Sequence, residues 1–481
     1  MKIRQDLGLT FDDVLLVPKR SSIRSRSAVN TAAQLTREIS LAIPIISANM
    51  DTVTEGNMAI TMAQAGGIGI IHRFMSVEKQ VEEVRKVKRA ESFIVEKPAT
   101  IQATASIQEA RNRMKESGIG GLVVVNEAGG LEGMLTARDL LLAPEAVETV
   151  SQVMTPRPRL VVARQGESLE AARLALHEHR IEKLPLVDSQ DRLVGLITAQ
   201  DITKLQRHPQ ATKDAKGQLR VGVAVGVRSI DIGRAEACVE AGADVLVVDV
   251  AHGHSDYVIE MVTGLKKRLP GVPIIAGNVA TAEGVRDLVN AGAEGVKVGV
   301  GAGSICITRL VAGAGVPQLT AIMDCAAVAR ELNVPLIADG GIHTSGDLAK
   351  ALAAGASTAM LGSLLAGTDE APGAPVIRNG RRFKVVRGMA SLTANIARKE
   401  IEKQGEIDPD EWEKVVPEGV EALVDYQGSV KDVLYQLVGG LRSGMSYTGA
   451  ATIPEMWENA EFIQITPYGL LESKPHDVSL I

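Results

Sequence analysis

A glycine-rich loop that carries a thiol and a hydroxyl is the segment of this 481-residue chain best suited to chemistry. Gly299, Gly301 and Gly303 alternate along it, and Cys306 and Thr308 follow. Glycines let a backbone bend tightly and approach a ligand or ion without a Cβ in the way. The loop follows an apolar run that predicts a buried strand, and loops at strand ends often carry reactive side chains. Cys306 is therefore a candidate nucleophile, and the alternative is a small buried side chain.

The other two cysteines, Cys238 and Cys325, lie in alanine-rich runs typical of helices, where we predict that they are buried. An odd number of cysteines without a disulfide-type spacing indicates free thiols in a reducing, cytoplasmic environment. The first residues lack a signal-type apolar segment, and no apolar run is long enough to span a membrane. The formal net charge is −6 with acidic and basic residues well mixed, so neither a nucleic acid nor a membrane is expected as a partner.

Short apolar runs alternate with helix-like segments over most of the chain, and three of those segments end in Ala-Gly-Ala. Glycine is common just after a helix, and runs without polar alternation are typical of parallel strands buried on both faces. Eight such strands are predicted, at 44–47, 67–71, 221–227, 245–248, 272–276, 295–298, 334–338 and 358–361. This alternation predicts an α/β fold, a (β/α)8 TIM barrel, and a doubly wound open sheet is the alternative.

Barrel enzymes place their chemistry at the carboxyl ends of the strands, and polar residues and glycines follow the predicted strands there. These residues are Asp249, Asn278, Cys306, Asp339, Gly340, Gly341, Gly362 and Ser363. Asp339 beside paired glycines suits the diol of a ribose, and the turns at Gly341 and Gly362 can offer backbone N–H groups to a phosphate. The alternative for Asp339 is a helix-capping acid. We therefore predict that one rim of the barrel carries two acids, one amide, one thiol and two glycine turns.

Between the second and third predicted strands, an internal duplication interrupts this rhythm at a constant offset of 62 residues. The segments 106–110, 121–125 and 133–139 are echoed by 168–172, 183–187 and 195–201. The duplication resembles a tandem pair of cystathionine-β-synthase-type (CBS) modules, which are α+β domains that commonly bind adenine nucleotides. The predicted domains are the first part of the barrel at 1–91, CBS modules at 92–150 and 151–208, and the second part of the barrel at 209–481.

Each repeat carries a threonine and an aspartate where CBS modules hold ribose or phosphate. These pairs are Thr136 with Asp139 and Thr198 with Asp201. The alternative is that both pairs cap helices, which explains them equally well.

The cysteine loop and several further motifs together resemble the inosine monophosphate dehydrogenase/GMP reductase family. The further motifs lie at 50–55, 276–281, 387–389, 416–419, 440–445 and 475–478. The resemblance spans nearly the whole chain, including the inserted pair. It implies that the Cys306 thiolate attacks C2 of a purine nucleoside monophosphate and that hydride passes between C2 and a nicotinamide, through a covalent thioimidate.

The resemblance also implies a role for each matching residue. Substrate ribose and phosphate are assigned to Ser304, Asp339, Gly340, Gly341, Gly362 and Ser363. The base is assigned to Gly388, Met389 and Glu418, and the dinucleotide (NAD, or NADPH in a reductase) to Asp249, Asn278, Gly299 and Gly301. Thr308 and Glu418 match a proton relay, and the backbone carbonyls of Gly301, Gly303 and Cys306 match a potassium site. Members of the family form homotetramers that sometimes pair into octamers.

The chain departs from the dehydrogenase pattern in a predicted mobile flap at about 388–428. Dehydrogenases carry an adjacent Arg-Tyr pair there that activates water, whereas Arg398 has no tyrosine beside it. Losing a positioned general base costs about 10²–10⁴-fold in rate. Asn49 before Met-Asp-Thr-Val and Val386 before Arg-Gly-Met also resemble the reductase, which expels ammonia and needs no water-activating arginine.

Other features favour the dehydrogenase, because reductases usually lack the inserted pair and because 66–74 and 460–478 resemble dehydrogenases. On balance the sequence favours an IMP dehydrogenase, which converts IMP, NAD and water to XMP and NADH. The alternative is a GMP reductase, which converts GMP and NADPH to IMP and ammonia. A catalytically silent nucleotide sensor and an FMN-dependent barrel are remoter alternatives. The inserted pair is expected to respond to adenine or guanine nucleotides.

Overall fold

The computed structural model describes residues 3–91, 94–144, 146–205, 208–402 and 416–475. The chain divides into two compact units, one comprising 1–90, 210–212 and 219–481 and the other comprising 91–209 and 213–218. Among the helices described, none combines the length and hydrophobicity needed to cross a bilayer.

The larger unit is a closed barrel of eight parallel strands, which confirms the predicted (β/α)8 fold and excludes the open sheet. The strands are β1 (Ile45–Ser47), β2 (Ile68–Ile71), β3 (Gly222–Val225), β4 (Val245–Asp249), β5 (Ile274–Val279), β6 (Gly295–Val298), β7 (Leu336–Asp339) and β8 (Thr358–Leu361). The pairing of β2 with β3 joins the segments on either side of the insert, with Gly222 opposite Ile70. The apolar runs predicted this outcome because both faces of each strand are covered.

Helices surround the barrel strands. They are α1 (Gly56–Gln64), α2 (Val77–Ala90), α3 (Ser229–Glu240), α4 (Asp256–Arg268), α5 (Ala282–Asn290), α6 (Gln318–Glu331), α7 (Ser345–Ala353) and α8 (Val430–Tyr447). The three Ala-Gly-Ala glycines adopt positive φ angles after α3, α5 and α7, as predicted: Gly242 at 105°, Gly292 at 112° and Gly355 at 116°. These turns deliver the chain directly into the next strand.

Smaller elements complete this unit. Short strands occur at Val14–Leu16, Ala33–Gln34, Ser40–Leu41, Val376–Arg378, Arg381–Arg387, Glu421–Asp425 and Phe462–Gln464. Short helices occur at Phe11–Asp13, Arg26–Ala28, Thr308–Val311, Ser363–Ala366, Leu392–Glu402, Ile453–Asn459 and Pro467–Glu472. The strands Arg381–Arg387 and Glu421–Asp425 are antiparallel neighbours, so they bring the two described ends of the predicted flap together. The flap residues 403–415 lie outside the described part of the chain.

The smaller unit contains two four-stranded sheets that repeat the same order. One sheet comprises Thr100–Ile101, Gly121–Val125, Leu131–Thr136 and Thr155–Pro156, and the other comprises Ala163–Arg164, Lys183–Val187, Leu193–Thr198 and Ile94–Val95. Helices occur at Ile107–Ser117, Ala137–Leu141, Val150–Gln152, Arg157–Arg159, Leu169–Glu178 and Ala199–Leu205. The two longest strands of each sheet keep the 62-residue offset of the sequence repeat. Assignment to the CBS family stays a prediction.

The Thr-Asp pairs of this unit cap helices, as the alternative interpretation predicted. The Thr136 side chain accepts a hydrogen bond from the Asp139 backbone N–H, and the Asp139 carboxylate accepts one from the Thr136 N–H at 2.8 Å. The Thr198 hydroxyl likewise accepts from the Asp201 N–H at 3.1 Å. Capping accounts for these residues without a ligand, so nucleotide binding by this unit stays a prediction.

Candidate active site

A cavity of about 320 Å³ opens at the carboxyl ends of the barrel strands. Such a volume is within the range of small-molecule sites. Among the residues predicted for the site, those that line the cavity are Asp249, Asn278, Gly299, Gly301, Gly303, Cys306, Thr308, Asp339, Gly340, Gly388, Met389 and Glu418. They come from the ends of four strands, from the cysteine loop and from the two described ends of the predicted flap. Long-range folding therefore assembles most of the predicted set at one place.

The cysteine loop holds a thiol and a hydroxyl in contact. Cys306 Sγ lies 3.2 Å from Thr308 Oγ1, and Cys306 is partly exposed to the cavity. The loop passes close to the end of β7: a Cβ on Gly299 would lie 1.9 Å from the Asp339 carbonyl oxygen. Only glycine fits there. Gly301 has a φ of 74°, a conformation that favours glycine.

The segment that carries Glu418 is fixed against this loop by backbone pairing. Cys306 and Gly419 form an antiparallel bridge. The Ile307 N–H donates to the Glu418 carbonyl at 2.8 Å, and the Val420 N–H donates to the Ile305 carbonyl at 3.0 Å. Glu418 and Thr308 are thereby held at the same edge of the cavity, as expected for a proton relay. Their role in catalysis stays a prediction.

A network of polar side chains forms the floor of the cavity, with a lysine at its centre. Lys297 Nζ lies 2.8 Å from Asp249 Oδ1 and 2.5 Å from Asp339 Oδ2, and it also donates to the Asn278 carboxamide oxygen. Asn278 Nδ2 in turn donates to Asp339 Oδ2 at 3.0 Å. Asn49 Nδ2 donates to Asp249 Oδ2 at 2.6 Å. Charge and hydrogen bonds therefore orient both acids.

The protonation states of this network follow from the balance of burial and charge. Burial alone would raise the pKa of Asp249, but Lys297 and the hydrogen bond from Asn49 outweigh burial and lower it. Burial alone would lower the pKa of Lys297, but Asp249 and Asp339 outweigh burial and raise it. The cavity floor thus presents an ionised carboxylate beside a charged ammonium at neutral pH.

A second group of polar side chains lies beside the main cavity. Ser304 Oγ is 3.3 Å from Ser363 Oγ and 3.1 Å from His343 Nε2. The family resemblance assigned Ser304 and Ser363 to the ribose and phosphate of the substrate, and the structure brings their hydroxyls together. His343 was missed by sequence reasoning, and its position two residues after the glycine pair was the signal that could have found it. Gly341 and Gly362 do not line the main cavity.

Burial separates the three cysteines as predicted. All three thiols are free, and Cys238 and Cys325 are fully buried in α3 and α6. Burial raises the pKa of Cys238 to about 11 and that of Cys325 to about 12. A thiol with such a pKa is almost fully protonated near neutral pH and is a poor nucleophile. Cys306 is therefore the cysteine placed for chemistry.

An ion pair joins two of the motifs that carried the family resemblance. Arg387 Nε donates to Asp51 Oδ2 at 2.6 Å, and the Arg387 backbone N–H donates to Thr52 Oγ1 at 3.3 Å. The residues after β1 are thereby tied to the strand that leads to Gly388. This contact positions Gly388 and Met389 at the cavity.

No group of three or more His, Cys, Asp or Glu side chains that could hold a metal ion occurs in the described part of the chain. The predicted potassium site uses backbone carbonyls instead. The Gly303 carbonyl accepts a hydrogen bond from the Cys306 N–H at 3.0 Å, which leaves one lone pair for an ion. The carbonyls of this loop are therefore compatible with a monovalent cation.

Barrel fold, loop thiol and polar floor together define a (β/α)8 barrel with a small-molecule site at the carboxyl ends of its strands, and comparison with known proteins identifies its family. The model of the IMP dehydrogenase / GMP reductase domain matches residues 8–476. The chain therefore belongs to the IMP dehydrogenase / GMP reductase family and is an oxidoreductase, as its motifs predicted.

Relatives of both kinds match over almost their whole length. An inosine-5'-monophosphate dehydrogenase of Nitrosopumilus maritimus is 54% identical over 474 residues, which are 98% of this chain and 99% of that protein. A GMP reductase of Leishmania donovani is 51% identical over 481 residues, 98% of this chain and 97% of that protein. Among solved structures, a GMP reductase variant of Trypanosoma brucei in complex with guanosine 5'-monophosphate matches with a TM-score of 0.86 and 49% identity, covering 98% of each chain.

Proposed function

We propose that this protein is a GMP reductase that converts GMP and NADPH to IMP, ammonia and NADP. The observation that carries the proposal is the missing water-activating pair. Between residues 388 and 428 the sequence contains one arginine, Arg398, and one tyrosine, Tyr426, which are far apart. A dehydrogenase must activate water to release its product, whereas a reductase has no such step. Residues 403–415 lie outside the described part of the chain, and their amino-acid sequence contains neither an arginine nor a tyrosine.

The inserted pair, which favoured a dehydrogenase in the sequence analysis, does not discriminate between the two activities. GMP reductases of Leishmania donovani and Leishmania major align with this chain over 481 residues, so the alignments run through the insert. The missing Arg-Tyr pair, Asn49 and Val386 then remain as the features that support the reductase.

Asn49 supports the same direction by its contact. Its amide donates to Asp249 at 2.6 Å, and a proline or a small apolar residue at this position could not make that bond. Asp249 is our candidate for holding the dinucleotide, and its ionised carboxylate can accept hydrogen bonds from ribose hydroxyls. The resemblance to reductases at Asn49 therefore has a physical consequence in the cavity.

In the proposed reaction, the sulfur of Cys306 bonds to C2 of the guanine base, and the amino group leaves as ammonia after taking a proton. Thr308 and Glu418 supply and relay that proton, because they flank the thiol. NADPH supplies the hydride that C2 receives. The C2–S bond then breaks, which releases IMP and restores the thiolate. One GMP, one NADPH and one proton thus yield IMP, NADP and ammonia.

The binding residues follow from the placement of the two polar groups. We assign the ribose to Asp339 with Gly340 and Gly341, and the phosphate to Ser304 and Ser363 with the turn at Gly362. Gly388, Met389 and Glu418 face the base, and Asp249 with Asn278, Gly299 and Gly301 faces the dinucleotide. A potassium ion would be held by carbonyls of Gly301, Gly303 and Cys306, and we assign no chemical step to it.

The test compares both reactions with one purified protein, by following the absorbance of the reduced nicotinamide. Loss of NADPH with GMP, with one ammonia formed per NADPH consumed, supports the proposal. Appearance of NADH with IMP and NAD, without reduction of GMP, would overturn it. Cys306→Ala is the control in both assays and must be inactive.

IMP dehydrogenase is the second candidate. It is favoured by the 54% identity to the Nitrosopumilus protein. The segments 66–74 and 460–478, which resemble dehydrogenases, point the same way. In this case Thr308 and Glu418 would activate water alone.

We further propose that the smaller unit binds adenine or guanine nucleotides and tunes activity or assembly, that the protein forms a homotetramer or octamer, and that it is cytoplasmic. The repeated sheets support the regulatory role, the three free cysteines support the cytoplasmic location, and membership of the family supports the oligomer. The measurement is activity and molar mass by light scattering with and without ATP or GTP. Unchanged kinetics and unchanged mass would contradict the regulatory role.

A further inference from the structure

The ammonium group of Lys297 contacts two carboxylates at the floor of the cavity. The Lys297 side chain is 2% exposed, and the side chains of Asp249 and Asp339 are each 22% exposed. Lys297 Nζ contacts an oxygen of each acid, at 2.8 Å and 2.5 Å, so the two carboxylates lie close to each other. A lysine so deeply buried is rare unless it is paired.

The two acids belong to different predicted ligand sites. Asp339 ends β7 beside the glycines assigned to the nucleotide ribose, and Asp249 ends β4 on the side assigned to the dinucleotide. Without a cation between them, the two mostly buried carboxylates would repel each other. Each site therefore depends on the same positive charge.

We propose that Lys297 is the shared counter-ion of the nucleotide and dinucleotide sites, a positioning residue whose single charge supports Asp339 in one site and Asp249 in the other. The inference rests on the proposed function only in assigning Asp339 to the nucleotide and Asp249 to the dinucleotide. It holds for either direction of hydride transfer, because GMP and IMP share the same ribose and phosphate.

The other polar groups around the cluster do not replace Lys297. Asn49 and Asn278 are neutral, and they hydrogen-bond to Asp249 and Asp339 respectively. Arg73 also lines the cavity, and it acts on Asp249 through its charge. Lys297 is the cation in direct contact with both.

The experiment measures binding of GMP alone by isothermal titration calorimetry, because turnover does not occur without the dinucleotide. Lys297→Met leaves the two acids without a cation in contact. We expect it to weaken GMP binding by about 10- to 100-fold, because Asp339 then holds the ribose less well and hydrogen bonds to charged groups contribute this much. The charge-balanced variant Lys297→Met/Asp249→Asn removes the competing carboxylate. We expect the double variant to recover most of the lost affinity for GMP. Its second substitution lies in the dinucleotide site, not in the nucleotide site.

A buried lysine elsewhere in the barrel gives the matched control. Lys88 pairs with Asp244 at 3.0 Å, and both side chains are less than a tenth exposed. Lys88→Met also removes a buried ion pair, and we expect it to lower the melting temperature without weakening GMP binding. This control separates general destabilisation from loss of the shared charge.

Recovery of affinity in the double variant supports the proposal, and a folded double variant that binds GMP no better than Lys297→Met overturns it. Should Lys297→Met not fold, the folded double variant decides alone: binding within about tenfold of wild type supports the proposal, and weaker binding overturns it. Activity assays of the wild type test the proposed function separately. A wrong assignment of the reaction therefore leaves the role of Lys297 testable, and the reverse also holds.

Discussion

At the scale of single residues, burial decides which cysteine can react. Cys306 lies at the cavity and touches a hydroxyl, whereas Cys238 and Cys325 are enclosed by apolar side chains. The thiolate is the reactive form, and burial raises the pKa of the two enclosed thiols to about 11 and about 12. The three cysteines thus differ in environment rather than in chemistry.

This difference predicts selective alkylation. Iodoacetamide at neutral pH is expected to modify Cys306 and to leave Cys238 and Cys325 unmodified in the folded protein. Peptide mapping by mass spectrometry measures the modified fraction at each site. GMP should protect Cys306, and unfolding in guanidinium should make all three react. Modification of a buried cysteine before Cys306 would contradict the prediction.

His343 gives a second prediction. Its Nε2 lies 3.1 Å from Ser304 Oγ, so we expect it to contact the substrate phosphate. His343→Ala should raise KM for GMP by about 10-fold or more, as for loss of a hydrogen bond to a charged group, while kcat changes little. Guanosine, which lacks the phosphate, should be turned over equally by variant and wild type. His177→Ala, on the helix Leu169–Glu178, is the control.

The sequence predicted some residues of the site and did not reveal others. Cys306 and Asp339 were found because each follows an apolar run beside glycines, which is a local signal. Lys297 was missed because it sits inside such a run, where the sequence shows a charge but not its partners. Those partners are 48 and 42 positions away in the chain, and only closure of the barrel brings them into contact.

At the scale of elements, glycines set how closely the loops approach each other. A Cβ on Gly299 would overlap the Asp339 carbonyl at 1.9 Å, so Gly299→Ala must displace the cysteine loop or the end of β7. We expect activity to fall by at least about 10²-fold, since small misplacements of reacting groups carry such costs.

The control for this prediction lies within α4. Nothing lies within 4 Å of a Cβ built on Gly264, and this glycine has ordinary helical geometry. Gly264→Ala should keep full activity and stabilise the protein by about 0.5–1 kcal/mol. Rates and melting temperatures of the two variants check both expectations. Full activity in Gly299→Ala would show that the loop tolerates displacement.

The barrel strands were predictable because their signal is local. Each of the eight apolar runs became a strand, with boundaries shifted by at most a few residues. The pairing that fixes Glu418 was not predictable, because the bridge between Cys306 and Gly419 joins positions more than a hundred residues apart. No periodicity in either segment marks that contact.

At the scale of the whole molecule, the duplication predicted two repeated modules but not how their strands are shared. Ile94–Val95 lies at the start of the predicted first module yet pairs with the second sheet, and Thr155–Pro156 lies at the start of the predicted second module yet pairs with the first sheet. These two-residue strands carry no hydrophobic pattern of their own. Their partners lie in the other repeat, so no local signal in the sequence marks these pairings.

The stability of the folded chain should depend on pH through the cluster at the cavity floor. The pKa of Asp249 is lowered in the folded protein, so its contribution is complete above the pKa of an unfolded aspartate, about 3.9. The contribution is lost as the pH falls through the folded value. The pKa of Lys297 is raised, so its contribution is complete below its unfolded value and is lost only as the pH rises through the folded value.

The difference in free energy of unfolding between wild type and Asp249→Asn measures the first effect. We expect this difference to be constant from neutral pH down to about pH 5 and to shrink below about pH 4, because the protonated wild-type carboxyl then resembles the neutral amide. Urea unfolding at a series of pH values gives the two curves. A difference that already shrinks above pH 5 would mean that burial, rather than Lys297, governs the ionisation of Asp249. Lys297 would then not act as the shared counter-ion of Asp249 and Asp339.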